Sequence, residues 1–244
     1  MSFEAVALHL SEEQERALVE ANAALAALRK RTLSRVRAAD STGMASWTFR
    51  SYSQRWLARV IVLVDGASSE WNARRLLNVG VLLRALVETI AVFHSLIDQG
   101  TVLVAGGDLP RFHALTLRAM YGTRQGRDLY PQLPAATNVL TSVDRLVKVF
   151  PMVRRYYDSL CELVHPNSDG MNIFGKVNHE THEVELDENE ENYSFCVSSV
   201  MTGIRMIAAG PMCFDIAEHE LVPMVEALEE KYGRQPSGWP AVSP

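Results

Sequence analysis

The residues best suited to chemistry are Arg84 and Glu88, which stand four apart in the most apolar stretch of the chain. On a helix this spacing puts both side chains on one face, within reach of an ion pair. A charge inside an apolar bundle is costly unless it is paired and hydrogen-bonded. Two interpretations follow: a structural ion pair inside the bundle, which we favour, or a pair that lines a polar pocket.

A second polar segment, Tyr156 to Asn167, carries Tyr157 and His165. Pro166 biases His165 away from helical geometry, so a helix should end there. An imidazole near the carbonyl end of a helix is favoured in its protonated form. We expect His165 near Glu88 and take Arg84, Glu88, Tyr157 and His165 as candidate catalytic residues, although a histidine at this position is more often a helix cap.

The remaining motifs argue against several enzyme classes. His179 and His182 have a metal-like spacing, but they stand among acidic residues without cysteine ligands, so we favour a solvated loop and predict no metal and no cofactor. A glycine-rich phosphate loop, a G-x-S-x-G elbow and an H-E-x-x-H motif are absent from the sequence. This excludes P-loop NTPases, α/β-hydrolases and zincins.

Charge is divided unevenly along the 244 residues, whose net charge is -5. Residues 1–155 hold 20 Lys and Arg against 13 Asp and Glu, a charge of +7, and residues 156–244 hold 4 against 16, a charge of -12. Complementary faces that meet within or between subunits explain this best, and a basic surface for a polyanion is the alternative.

Two clusters of basic residues are candidate RNA-binding surfaces, and no aromatic residues for base stacking are interleaved with them, so phosphate contact is the most they indicate. The denser cluster is Arg29, Lys30, Arg31, Arg35 and Arg37, and the looser one is Arg111, Arg118, Arg124 and Arg127.

Apolar residues recur at three- and four-residue steps along most of the chain, which predicts helices. A capping box at Ser11 and Gln14 begins the first helix, Gly66 ends the second, and Ser69 caps the third. The expected helices are 12–39, 46–66, 70–98, 108–121, 138–150, 151–165 and 190–233, the last interrupted at Pro211 and Pro223; a loop spans 122–136 and a small hairpin 171–186.

Composition fits one globular domain, with 48% hydrophobic and 22% charged residues. The apolar run from Val60 to Val64 is short for a membrane span, and the beginning of the chain does not have the order of a signal peptide. Three cysteines without a C-x-x-C pair fit a reducing, cytoplasmic setting. We predict an all-α fold, a helical bundle of seven to eight helices with one small β-hairpin, over residues 1–233, and a disordered tail over 234–244.

The motifs Leu83-Arg84-Ala85-Leu86-Val87-Glu88 and Tyr157-x-x-Leu160-Cys161-Glu162-x-x-His165-Pro166-Asn167, with a hairpin led by Gly170, resemble an uncharacterised bacterial all-helical family. In that family an R-[SA]-L-x-E helix packs beside a Y-x-x-L-[SC]-E-x-x-H-P-[SN] helix end. The resemblance covers about residues 70–230, and the family is similar in turn to the HEPN superfamily. It implies a domain that often dimerises and that serves in toxin–antitoxin or phage-defence settings.

One departure from HEPN ribonucleases bears on function, because those enzymes place an arginine ahead of a histidine on one helix, with four to six residues between the two. The corresponding window before His165 holds Asp158, Ser159 and Leu160. We therefore favour a homodimeric HEPN-like protein of bacterial regulatory or defence type that acts by binding RNA or a protein, without a membrane role. The alternatives are a metal-independent RNA phosphodiesterase that uses His165 and Arg84 and, ranked last, a helical protein with a metal or small-ligand pocket.

Overall fold

The computed structural model describes residues 2–4, 10–123, 131–166, 170–171, 174–186 and 190–232. The α-helices are α1 (Glu12–Lys30), α2 (Met44–Asn72), α3 (Leu76–Ala105), α4 (Leu109–Tyr121), α5 (Val139–Leu146), α6 (Val153–Val164), α7 (Glu190–Arg205), α8 (Ala209–Ile216) and α9 (Val222–Tyr232). A hairpin of β1 (Lys176–Asn178) and β2 (Glu183–Glu185) lies between α6 and α7. The predicted all-α bundle with one small β-hairpin is confirmed.

Helix α3 is the centre of the bundle and packs against α2, α4, α5, α6 and α7. Its sequence is apolar on nearly every side, so burial on several faces at once is its most favourable arrangement. Aromatic side chains fill the space beside it: the Phe93 ring stacks on Trp56 with centroids 4.2 Å apart and lies 6.3 Å from the Phe49 ring. The candidate site therefore stands on the central helix of the bundle.

Helix α2 continues past Gly66, where we expected it to end, and stops at Asn72. A side chain at Gly66 would lie 3.3 Å from Leu82 on α3, so this glycine permits close helix packing. The chain turns away two residues beyond Asn72, at Arg74, whose φ of 59° is left-handed. Here the Arg75 and Arg74 N–H groups donate to the carbonyls of Glu70 and Trp71, each at 2.9 Å, which is a Schellman motif.

The first helix is also shorter than predicted. The capping box at Ser11 and Gln14 is present, but α1 ends at Lys30 rather than near residue 39. A short 3₁₀ turn at Ala38–Asp40 follows, and Arg35 and Arg37 lie between the two outside any helix. The basic residues after Lys30 are therefore not presented on a helix face.

The predicted effect of the two late prolines is confirmed. A 3₁₀ turn at Met206–Ala208 precedes Pro211, which stands in the first turn of α8, and a π turn at Ala217–Leu221 precedes Pro223 in the first turn of α9. Proline lacks an N–H donor and crowds the carbonyl four residues earlier, so the hydrogen-bonding pattern changes just before it. With 190–232 taken as one interrupted helix, the described residues form seven helices.

The hairpin falls inside the predicted range but is shorter. Val177 pairs with Val184 in the antiparallel register, and His182 in the connecting turn has a left-handed φ of 58°. The side chains of Phe174, Val184 and Leu186 are exposed, so this hairpin adds little to the core.

Two of the described helical segments have the length and hydropathy of a membrane span, Leu76–Ala105 and Ser194–Tyr232. Half of the most apolar window of the first and 61% of that of the second are buried inside the bundle. Core helices of soluble proteins also satisfy this criterion, so it is weak evidence.

Candidate functional site

Helices α3 and α6 pack antiparallel, and this packing assembles the candidate site. Close contact is possible because residue 80 is glycine: a side chain there would meet Leu163 at 2.8 Å. Further along α3, the Tyr157 hydroxyl reaches Glu88. Two residues that are 69 positions apart in sequence thus become neighbours.

Arg84, Glu88 and Tyr157 form a hydrogen-bonded group, here called the Arg84–Glu88–Tyr157 cluster. The Tyr157 hydroxyl donates to Glu88 Oε1 at 2.9 Å, and Arg84 Nε donates to the same oxygen at 3.3 Å. The guanidinium carbon lies 5.8 Å from the centre of the Tyr157 ring. The side chains of Arg84 and Glu88 remain 29% and 31% exposed, so water reaches a pair that we expected to be sealed inside the bundle.

Burial sets the protonation states around this cluster. Burial, followed by the hydrogen bond and charge of Glu88, raises the pKa of Tyr157 to about 12. Burial also raises the pKa of the Cys161 thiol, against the opposing charge of Arg84. At neutral pH both groups keep their protons, so Tyr157 acts as a donor that orients Glu88 rather than as a base, and Cys161 is a poor nucleophile.

His165 does not join the cluster, and the expectation that it lies near Glu88 is wrong. Its backbone ends α6 with an extended conformation (φ -73°, ψ 142°), as the following proline predicts. Since Val164 packs at the level of Gly80, His165 stands about two turns of α3 away from Glu88. The imidazole is exposed, and among the described residues it forms no hydrogen bond or ion pair with the cluster.

A second candidate site is an open groove between the end of α3, α4 and the end of α5, with a volume of about 570 Å³. Its basic lining residues are Arg111, Arg118, Arg145 and Lys148, and Asp98 is its acidic one. We call it the basic groove. Arg145 donates to Ser95 Oγ at 3.0 Å and Arg118 to the Ala135 carbonyl at 2.9 Å, so two of the four cations are held in place.

Sequence reasoning identified only part of the basic groove. Arg111 and Arg118 were in the looser basic cluster, but Arg145 and Lys148 were not connected with them, because the packing of α4 and α5 on α3 decides that proximity. Arg124 and Arg127 of the same cluster lie outside the described residues.

The denser basic cluster is partly neutralised within the chain. Arg29 forms an ion pair with Asp65, and Arg31 forms one with Asp215 at 2.7 Å while donating to the Pro211 carbonyl at 3.3 Å. Lys30, Arg35 and Arg37 are exposed. Two of the five candidate RNA contacts therefore bind the protein's own acidic groups.

No group of three or more His, Cys, Asp or Glu side chains suited to a metal ion occurs in the part of the chain that the structure describes. His179 and His182 lie in the exposed turn of the hairpin. No protein-family model, curated protein or solved structure matches the chain.

Proposed function

We propose that this protein is an HEPN-like helical protein of bacterial regulatory or defence type that binds RNA through phosphate contacts in the basic groove. The convergence of Arg111, Arg118, Arg145 and Lys148 around one concave surface carries this proposal. Cations gathered along a groove attract a phosphate backbone without reading its sequence.

Binding is better supported than cleavage. A phosphodiesterase that uses His165 and Arg84 needs both groups at one scissile phosphate. His165 stands about two helical turns from Glu88, and Arg84 is turned toward Glu88 and Tyr157. The geometry therefore favours a protein that holds RNA and leaves it intact.

The test is fluorescence anisotropy of a labelled oligouridylate of about 20 nucleotides over a series of salt concentrations. We expect weak binding. A plot of the logarithm of the association constant against the logarithm of the salt concentration should have a slope of about -2 to -3, since each phosphate contact on single strands contributes about -0.7. Nanomolar binding that persists at high salt would contradict the phosphate-contact model.

Matched double variants locate the surface. Arg111→Ala with Lys148→Ala removes two groove cations and should reduce the size of the slope by about 1.4. Lys30→Ala with Arg35→Ala removes the same charge from the denser cluster and should change little. The reverse result would assign RNA binding to the denser cluster and reject the groove.

We also propose that the protein is a homodimer. The family resemblance implies dimerisation, but the apolar faces of α1 and α3 are largely covered within the chain. The support is now the hairpin, which leaves Val177, Val184 and Leu186 exposed. Light scattering at micromolar concentration should give a dimer mass; a monomer mass would reject the proposal, and Val184→Asp should shift a dimer toward monomer.

A further inference from the structure

A cleft between α2 and α3 lies beside the Arg84–Glu88–Tyr157 cluster and has a volume of about 390 Å³. One wall carries Arg55 and Arg59, and the opposite wall carries Glu88 and Thr89. We call it the α2–α3 cleft. It has no lining residue in common with the basic groove.

The two arginines give this cleft an unbalanced positive charge. They stand one turn apart on the same face of α2, an arrangement in which like charges repel. Arg59 Nε donates to the Thr89 hydroxyl at 3.0 Å, which holds that guanidinium against the α3 wall. In the described part of the chain, neither guanidinium has a carboxylate within ion-pair distance.

Glu88 lines the cleft but does not neutralise the arginines. Its Oε1 receives the hydrogen bonds from Arg84 and Tyr157, which hold the carboxylate toward α6. A bound anion would therefore find two guanidinium groups whose charge the protein leaves uncompensated. Charge-assisted bonds of this kind are about twice as strong as neutral ones.

The rest of the lining suits an apolar body. Val92, Met120 and Val139 supply aliphatic surface, and the Tyr52 and Trp56 rings supply aromatic surface. Burial raises the pKa of Tyr52 to about 12, so its hydroxyl remains a hydrogen-bond donor at neutral pH. The volume lies at the small end of the range of ligand pockets, about 300–1,000 Å³.

We propose that the α2–α3 cleft binds a compact organic anion, a carboxylate or phosphate group on an apolar ring. Arg55 and Arg59 bind the anionic group, and the aliphatic and aromatic lining covers the ring. This site is independent of RNA binding in the basic groove.

Isothermal titration calorimetry of the full chain tests the proposal with four probes: phenyl phosphate, benzoate, inorganic phosphate and phenol. At least one of the two ring anions should bind. Inorganic phosphate lacks the apolar ring and phenol lacks the anionic group, so each should bind at least about tenfold more weakly. The two ring anions together distinguish a phosphate from a carboxylate ligand.

Variants of the walls locate the site. Arg55→Ala should weaken the binding of the ring anion about tenfold or more, and Ala119→Leu, which fills the cleft, should weaken it as well. Arg16→Ala removes an exposed arginine from α1 and serves as the control for net charge. The groove variant Arg111→Ala with Lys148→Ala should leave this binding unchanged.

Two results would overturn the proposal. One is the absence of heat from both ring anions at concentrations up to about 10 mM, a limit that corresponds to less than 3 kcal/mol of binding free energy. The other is affinity that is the same in Arg55→Ala as in the unmodified chain.

Discussion

The Glu229 side chain, on the last helix, caps the first turn of α2. The residue is 2% exposed, and its carboxylate accepts hydrogen bonds from the N–H groups of Ala45 and Ser46 at 2.8 and 3.2 Å and from the hydroxyls of Thr42 and Ser46 at 2.7 and 2.6 Å. The approach is possible because residue 43 is glycine, where a side chain would lie 2.5 Å from the carboxylate. One residue thus ties the last helix to the beginning of α2.

We predict that Glu229→Ala destabilises the protein by about 3 kcal/mol, because it leaves several buried donors without an acceptor. Urea unfolding monitored by circular dichroism measures this change. Glu230→Gln, an exposed neighbour on the same helix, is the control and should change stability by less than about 0.5 kcal/mol. Equal effects of the two substitutions would contradict the capping role.

The partial exposure of the Arg84–Glu88–Tyr157 cluster changes what its removal should cost. A sealed ion pair would lose about 3–5 kcal/mol on removal of one partner. Since water reaches both charges, we predict that Glu88→Ala costs about 1–2 kcal/mol and that adding Arg84→Ala costs little more. Urea unfolding of the single and double variants checks this, and a loss above about 3 kcal/mol would indicate a sealed pair.

At the residue scale, local spacing and tertiary packing differ in how far sequence reveals them. The four-residue separation of Arg84 and Glu88 is a property of one helix, so their pairing could be predicted. The contact of Glu229 with Ser46 spans 183 positions, and no local pattern signals it. His165 was misplaced because its distance from Glu88 depends on the register of α6 against α3.

At the scale of the elements, helix types were predictable and helix ends were less so. Helix α3 runs to Ala105, beyond the predicted end at residue 98, and the left-handed φ of 78° at Gly107 follows its last turn. Gly66 was predicted to end α2 but does not, because a glycine can also serve close packing. The real end of α2 uses Arg74, a residue that gives no sequence signal for a left-handed conformation.

We predict that Arg74→Gly stabilises the protein by about 0.5–1 kcal/mol, because glycine adopts the left-handed conformation of the Schellman motif without strain. Thermal unfolding should show a rise in Tm. Ala73→Gly, at the preceding residue with an ordinary φ of -86°, should instead lower stability. A fall in Tm for Arg74→Gly would mean that the Arg74 side chain stabilises the protein by more than its left-handed backbone conformation destabilises it.

At the scale of the whole molecule, two histidines within the core connect stability to pH. His94 is 9% exposed and His113 is 3% exposed. Burial lowers the pKa of both imidazoles, against the opposing charges of Asp98 near His94 and Glu229 near His113. In the unfolded chain each returns to a value of about 6.5. Both groups are therefore neutral in the folded protein under conditions where the unfolded chain is protonated.

The direction in which stability changes with pH follows from proton binding in the folded and unfolded states. Below pH 6.5, about the unfolded value, the unfolded chain takes up protons that the folded protein does not, so stability falls as pH falls. The slope approaches about 1.4 kcal/mol per pH unit for each histidine until pH reaches its lowered native pKa. Burial raises the pKa of Glu218 above its ordinary value, and this carboxyl group acts in the opposite sense, stabilising the folded protein as pH falls.

We therefore predict that the urea midpoint is highest near pH 7.5 and falls between about pH 6.5 and 5.5. His94→Gln should flatten this dependence, because glutamine does not titrate. The His94 Nδ1 is buried without a hydrogen-bond partner among the described residues, so the substitution removes no hydrogen bond at that atom. His219→Gln, at an exposed position, should leave the dependence unchanged. A midpoint that rises toward pH 5.5 in the unmodified chain would show that carboxyl groups, rather than the two core histidines, control the stability of the bundle.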